Sequence, residues 1–258
     1  MRRSLVVANW KMHLNAQQAS FYVHNLNRVL PNYRTVEVVL APSSLVLQPL
    51  SLQIDRRKIR LASQNAYFKD EGAFTGEVSF KMIRELVHYS IIGHSERRIY
   101  FNEDLSVIRE KVSAAVRNGI VPILCIGENK SERVAGHTNQ VIHDQLTTAI
   151  SNLTSQEVGS IAIAYEPIWA ISTFGGELAK PADIQKAMDY IRYQVSELFG
   201  TDIASQVRVL YGGSVDPYNC AGYLALDGCD GTLVGGASLN YEQFTDIVKK
   251  AYEIRHKD

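Results

Sequence analysis

The stretch Ala164-Tyr165-Glu166-Pro167-Ile168-Trp169-Ala170, entered through Ile161-Ala162-Ile163, is a short β-rich run that stays apolar on both faces until it meets a proline. Such a run suits a strand covered on both sides, as in a parallel sheet. Pro167 has no N–H for the ladder and pushes Glu166 away from helical backbone, so the strand should end at Glu166. A carboxylate is thereby set on the C-terminal rim of a parallel strand, where such sheets carry their chemistry. A structural ion pair explains a lone rim glutamate equally well. The other strand ends have to decide between the two.

Seven further stretches read as strands: Leu5 to Trp10, Val36 to Ala41, Ile59 to Gln64, His88 to Gly93, Ile120 to Ile126, Val207 to Tyr211 and Gly231 to Val234. Helical spacing fills the gaps. Ala16, Ala19, Val23, Leu26 and Leu30 form one stripe stopped by Pro31, and a second helix spans about Ser43 to Ile54. A polar, glycine-bearing loop from Asn65 to Gly76 precedes a short helix near Ser79 to Leu86; long loops of this kind usually have a task. The next helix takes Asn102 as its cap, has Glu103 and Asp104 at its positive end, and stops at Gly119. Residues from His137 to Ile150 form another, and Pro181 opens one that ends at Gly200. The last helix is capped by Asn240 with Gln243 three residues on. Eight strands alternating with helices, with no linker or composition break, predict one (β/α)8 barrel occupying residues 1–258 as a single domain. A doubly wound open sheet is the alternative, but no GxGxxG opens a helix after the first strand.

The composition narrows the function. A hydrophobic fraction of 46% supports a large core, and 27 basic residues balance 27 acidic ones, so nothing global recruits nucleic acid or an anionic membrane. No apolar run approaches the roughly 18 residues that span a bilayer, and the first residues lack the pattern of a signal peptide. Cys125, Cys220 and Cys229 have no metal-ligand spacing, and an odd count suits reduced thiols in the cytoplasm. The seven histidines form no paired ligand motif, so no metal is expected.

In a barrel the strand ends share one mouth. There the first strand delivers Asn9 and Lys11, the fourth His94 and the sixth Glu166, while the seventh and eighth end in Gly212-Gly213-Ser214 and Gly235-Gly236-Ala237. Singly, each glycine pair reads as a tight turn. Together, after those two strands, they mark the recurrent phosphate site of such barrels. His94 begins a short helix whose positive end disfavours imidazolium, which suits a neutral hydrogen-bond donor. Base, neutral donor, cation and phosphate cradle describe proton transfer beside the carbonyl of a small phosphorylated molecule.

Seven ordered motifs carry a resemblance that covers nearly the whole chain. They are Ala8-Asn9-Trp10-Lys11-Met12, Gly72-Ala73-Phe74-Thr75-Gly76-Glu77, Ile92-Gly93-His94-Ser95-Glu96-Arg97-Arg98, Leu124-Cys125-Ile126-Gly127-Glu128, the opening stretch, Tyr211-Gly212-Gly213-Ser214-Val215 and Leu233-Val234-Gly235-Gly236-Ala237-Ser238-Leu239. In these the chain resembles the triosephosphate isomerases, a family whose barrel chemistry and lid closure are themselves standard worked examples. The resemblance implies a TIM barrel that interconverts dihydroxyacetone phosphate and D-glyceraldehyde 3-phosphate through an enediol(ate), without cofactor or metal. It implies Glu166 as the base, neutral His94 as the proton shuttle between oxygens, and Lys11 with Asn9 stabilising negative charge. Glu96 and Tyr211 would support them, and Ser172, Ser214, Gly235 and Gly236 would hold the phosphate. It also implies a homodimer in which the loop around Thr75 reaches the neighbouring subunit.

One segment departs from the family. After Ile171 the usual Gly-Thr-Gly-Lys is replaced by Ser172-Thr173-Phe174-Gly175-Gly176-Glu177, and the lid from Ser172 to Lys180 is two residues longer than usual. If the closed lid needs positive φ at Ser172, a non-glycine there is strained. A rival reading follows: a barrel that binds sugar phosphates as a sensor or scaffold without turning them over. The presence of Lys11, His94 and Glu166 argues against it. A barrel isomerase acting on a larger phosphosugar is a further alternative, opposed by the compact arrangement of lid and glycines.

Overall fold

The computed structural model describes residues 2–255. Its eight strands are β1 (Ser4–Asn9), β2 (Val36–Ala41), β3 (Ile59–Ser63), β4 (Tyr89–Ile92), β5 (Val121–Ile126), β6 (Ala162–Tyr165), β7 (Arg208–Tyr211) and β8 (Gly231–Val234). All pair in parallel and in sequence order, and β8 returns to β1 through Leu5↔Gly231 to Ala8↔Val234, which closes the barrel. The closing seam needs glycine. Gly231 has φ 150°, and a Cβ there would lie 1.9 Å from the Leu5 carbonyl oxygen.

Each strand is apolar on both faces because it serves two cores. One set, including Leu5, Val7, Val39, Ile91, Ile123, Ala164, Leu210 and Leu233, packs inside the barrel. The alternate set, including Val6, Ala8, Val38, Leu40, Leu124, Ile163 and Val209, packs outward under helices such as Ala16–Val29, Pro181–Phe199 and Tyr241–Arg255. Continuing the inward set by its period of two carries it to Asn9, Glu166, Gly212 and Gly235 at the C-terminal mouth. At the opposite end the same parity supplies Glu37, Tyr89 and Arg208. Arg208 donates to Glu37 at 2.9 Å and to the Tyr89 hydroxyl at 2.8 Å, closing the floor with a buried polar plug.

Several local expectations change. Asn102 does not cap its helix; it lies at φ 52°, and Asp104 is the cap of Leu105–Arg117, accepting from the Val107 N–H at 2.8 Å. The stripe starts at Leu105, so the residue just before it is the one placed to cap. Glu103 is instead buried between Arg97 and Lys111. The second helix is shorter than expected, Ser44–Ser51, although it accommodates Pro49. The helix that the pair Asp216-Pro217 predicts as cap and first turn begins only at Cys220, and among the described residues three short helices escaped the periodicity: Lys130–Val134, Ser155–Ser160 and Thr201–Gln206. Their five or six residues are too few to show a stripe, but Asn129 with Glu132 and Thr154 with Glu157 form capping boxes that mark two of them. Among the described residues no helix is long and apolar enough to cross a membrane.

Candidate active site

Strand β6 stops at Tyr165, one residue earlier than expected, although the Glu166 N–H still donates to Ile126 O at 2.7 Å. That last ladder bond fixes the backbone from which the side chain turns into the mouth. Glu166 is buried, and its Oε2 accepts from the Ser95 N–H at 3.2 Å. Its Oε1 lies 3.3 Å from His94 Nε2 but has no hydrogen bond. Glycines make room around it. A Cβ on Gly127 would come within 2.0 Å of Glu166 O, and one on Gly212 within 2.8 Å of Glu166 Cγ. Burial and the neighbouring Glu166 raise the Cys125 thiol well above its ordinary range, so it stays protonated behind the carboxylate.

His94 caps the helix Ser95–Tyr100 with its own ring, as Nδ1 accepts from the Glu96 N–H at 3.2 Å. A ring nitrogen that accepts carries no proton, so in the uncharged ring this bond places the hydrogen on Nε2.

Lys11 sits at φ 52°, unusual for a residue with a side chain. Its N–H donates to Asn9 Oδ1 at 3.1 Å, and its carbonyl accepts from Gln64 Nε2 at 2.8 Å. Gln64 also donates to Ala41 O at 2.8 Å, tying this strained turn to β2. Lys11 Nζ reaches Glu96 Oε1 at 2.6 Å, an ion pair between two partly buried side chains. Burial alone would raise the Glu96 carboxyl, but the hydrogen bond and the charge of Lys11, with the Thr173 hydroxyl, hold the group below its ordinary value.

Asn9, Lys11, His94 and Glu166 line one cavity of about 270 Å³, near the small end of ligand sites. Ser172, Ser214, Gly235 and Gly236 form its other wall. A Cβ on Gly236 would meet nothing within 4 Å, so this wall is open for an incoming group. The Ser214 N–H is already engaged, donating to Ala170 O at 3.1 Å. Tyr211 and Thr75 lie outside the cavity. Tyr211 is packed beneath Gly213 and against Tyr223, its buried hydroxyl without a partner, while Thr75 is exposed on its loop. Among the described residues no group of three or more His, Cys, Asp or Glu side chains is placed to hold a metal ion.

Ser172 is not strained. It opens a 3₁₀ turn, Ser172–Phe174, and the positive φ values fall on Gly175 (147°) and Gly176 (64°). The shifted glycine pair therefore does the conformational work one turn later.

Reading the sequence gave no part to Gln64, the Ser95 N–H or Glu128. Glu128 is fully buried, accepting from the Tyr165 hydroxyl at 3.0 Å and Trp169 Nε1 at 3.0 Å, so it anchors the turn Ile168–Ala170 that follows β6. It stood in the fifth-strand motif Leu124 to Glu128, but the side chains that meet it come from another strand end.

Comparison with known proteins agrees with this geometry. The family model described as Triosephosphate isomerase matches residues 4–251. The triosephosphate isomerase of Carboxydothermus hydrogenoformans is 42% identical over 250 residues, covering 96% of this chain and 99% of that protein. That of Streptococcus suis is 43% identical over 248 residues, covering 96% and 98%. That of Dehalococcoides mccartyi is 38% identical over 257 residues, spanning 100% of both. A closed eight-stranded barrel, a carboxylate facing a histidine ring at its mouth, and matches along its whole length place this chain in the triosephosphate isomerase family.

Proposed function

We propose that Glu166, His94 and Lys11 carry the family's reaction in this chain, the interconversion of dihydroxyacetone phosphate and D-glyceraldehyde 3-phosphate. The activity itself, an aldose–ketose isomerisation of glycolysis and gluconeogenesis, comes with family membership. Glu166 takes a proton from the carbon beside the carbonyl, and the electron pair moves onto the carbonyl oxygen. His94 donates its Nε2 hydrogen to that oxygen and recovers one from the adjacent hydroxyl. Glu166 then returns its proton to the neighbouring carbon. Lys11 and Asn9 offset the negative charge of the enediolate. Gly235 and Gly236 offer main-chain N–H groups to the phosphate with Ser172 opposite, and Ser214 joins them when Ala170 releases it. Tyr211 supports the cradle from below, through its packing under Gly213.

The observation that carries this reading is the unbonded Glu166 Oε1, 3.3 Å from a His94 ring whose other nitrogen accepts a main-chain N–H. Imidazole ¹⁵N spectra should show His94 with a bare Nδ1 and a protonated Nε2, both alone and with phosphoglycolate bound. A doubly protonated ring at neutral pH would contradict it.

We also infer a homodimer and a cytoplasmic location. Exposed Thr75 and Phe74 lie on the long loop after β3. A second cavity of about 350 Å³, lined by Met12, Gln64, Glu77 and Phe101, adjoins Lys11 and Glu96 and suits a neighbour's loop. Sedimentation equilibrium should return twice the chain mass of 28.8 kDa, and a monomer at all concentrations would sink the idea. The three cysteines are buried and unpaired, as in a reducing compartment. Titration of freshly denatured protein should find all three thiols, and a disulfide would refute the assignment.

A further inference from the structure

The segment Ser172-Thr173-Phe174-Gly175-Gly176-Glu177 that follows Ile171 touches the barrel rim at three places. Thr173 Oγ1 lies 3.3 Å from Lys11 Nζ and 3.3 Å from Glu96 Oε1. The half-buried Phe174 ring lies against Tyr100 at the end of the helix Ser95–Tyr100, with ring centroids 5.8 Å apart and planes at 30°. Glu177 accepts an ion pair from Lys130, on the helix Lys130–Val134. Gly175 and Gly176 make the turn between these contacts, and the N–H groups of Phe174 and Gly176 both donate to Ile171 O, at 2.9 and 3.1 Å. In this arrangement Ser172 lines the cavity that also holds Lys11, His94 and Glu166. The lid is therefore drawn over the mouth while its far side is fastened to two different helices.

We infer that Phe174 is a positioning residue for the isomerisation: its ring, seated on Tyr100, moors the lengthened lid over the phosphate end of the site. This deepens the reading of Ser172 and the glycines as the phosphate cradle and rests on it. The three contacts are not equal. Lys130 and Glu177 are both more than half exposed, and exposed pairs are screened and contribute little. Thr173 makes two long hydrogen bonds at an exposed position. The aromatic pair covers apolar area and has no screening to lose, so it dominates. Because Phe174 touches neither the reacting carbons nor Glu166, its removal shifts the lid between positions and leaves the proton-transfer groups intact.

The test is titration of the full-length protein with 2-phosphoglycolate, together with steady-state kinetics on glyceraldehyde 3-phosphate. Phe174→Ala should raise Kd and KM about threefold to tenfold, with kcat changed far less. Tyr100→Ala should do the same, and the double variant should be no worse than either single one. Phe174→Tyr should restore wild-type binding. Lys130→Gln should change Kd by less than about twofold. These side chains lie at the surface, so thermal unfolding should stay at the wild-type midpoint, which separates mooring from damage to the fold. Unchanged Kd in Phe174→Ala, fully multiplicative effects in the double variant, or a larger effect from Lys130→Gln would each overturn the proposal. Failure of the wild-type protein to bind 2-phosphoglycolate would overturn the cradle reading instead, so the two are distinguishable.

Discussion

Glu166→Gln should lower kcat by at least about 100-fold while phosphoglycolate binding stays within a fewfold of wild type. Glutamine fills the same space, which matters where Gly212 and Gly127 leave none to spare. Its amide oxygen can still accept from the Ser95 N–H that now holds Oε2. The chemistry does not survive, because an amide cannot take a proton from carbon. Loss of turnover without loss of ligand therefore assigns Glu166 to the proton and not to the phosphate. Coupled spectrophotometric assay and calorimetric titration of the same preparation read the two quantities separately. Near-normal kcat in this variant would remove Glu166 from the mechanism.

Lys11→Met should cost about 100-fold to 1000-fold in kcat/KM and, unlike Glu166→Gln, should weaken phosphoglycolate binding as well. Methionine keeps an unbranched apolar stem beside Gly235 while deleting the charge. The ammonium lies in the cavity wall facing both the reacting end and the phosphate cradle, so ground-state and transition-state binding both suffer. Glu96 would then be left without the cation 2.6 Å away that offsets its burial. Its carboxyl should rise from a depressed pKa toward or above its ordinary value. The sign follows from linkage. In the wild type the Lys11–Glu96 pair stabilises the fold fully above the ordinary carboxylate range, and that contribution fades only as pH falls through the lowered pKa of Glu96. The variant should lose that contribution, so its stability curve should part from the wild type's above the carboxylate range and converge with it in acid. A kcat/KM within tenfold of wild type would show that the charge is not used.

The parts of this molecule legible in the sequence are those governed by short-range rules. Strands β2 and β8 are legible to their observed ends, Val36–Ala41 and Gly231–Val234, because Thr35 and Pro42 bound the first run and Asp230 and Gly235 the second. Glu166 and Asn9 are legible as mouth residues because Pro167 stops the sixth strand at Glu166 and the first apolar run ends beside Asn9. Asn102 misled because it is a good capping residue two places too early, and only the observed backbone, turned to φ 52°, shows that it belongs to the preceding loop. Gln64 and Glu128 act through contacts 53 and 41 residues away, with Lys11 and Trp169, which no local pattern encodes. The segment after Ile171 stands out in the sequence, but its fastening on Tyr100 and Lys130 depends on helices brought alongside only when the barrel closes.

Turnover in the presence of a competitor decides whether a base and a neutral imidazole share one pocket with a phosphate cradle. Purified protein, supplied with no metal ion or cofactor, should convert D-glyceraldehyde 3-phosphate to dihydroxyacetone phosphate, and phosphoglycolate should inhibit competitively with respect to that substrate. Phosphoglycolate binding with no conversion of the triose phosphate would contradict the account and favour a protein that holds the ligand without acting on it.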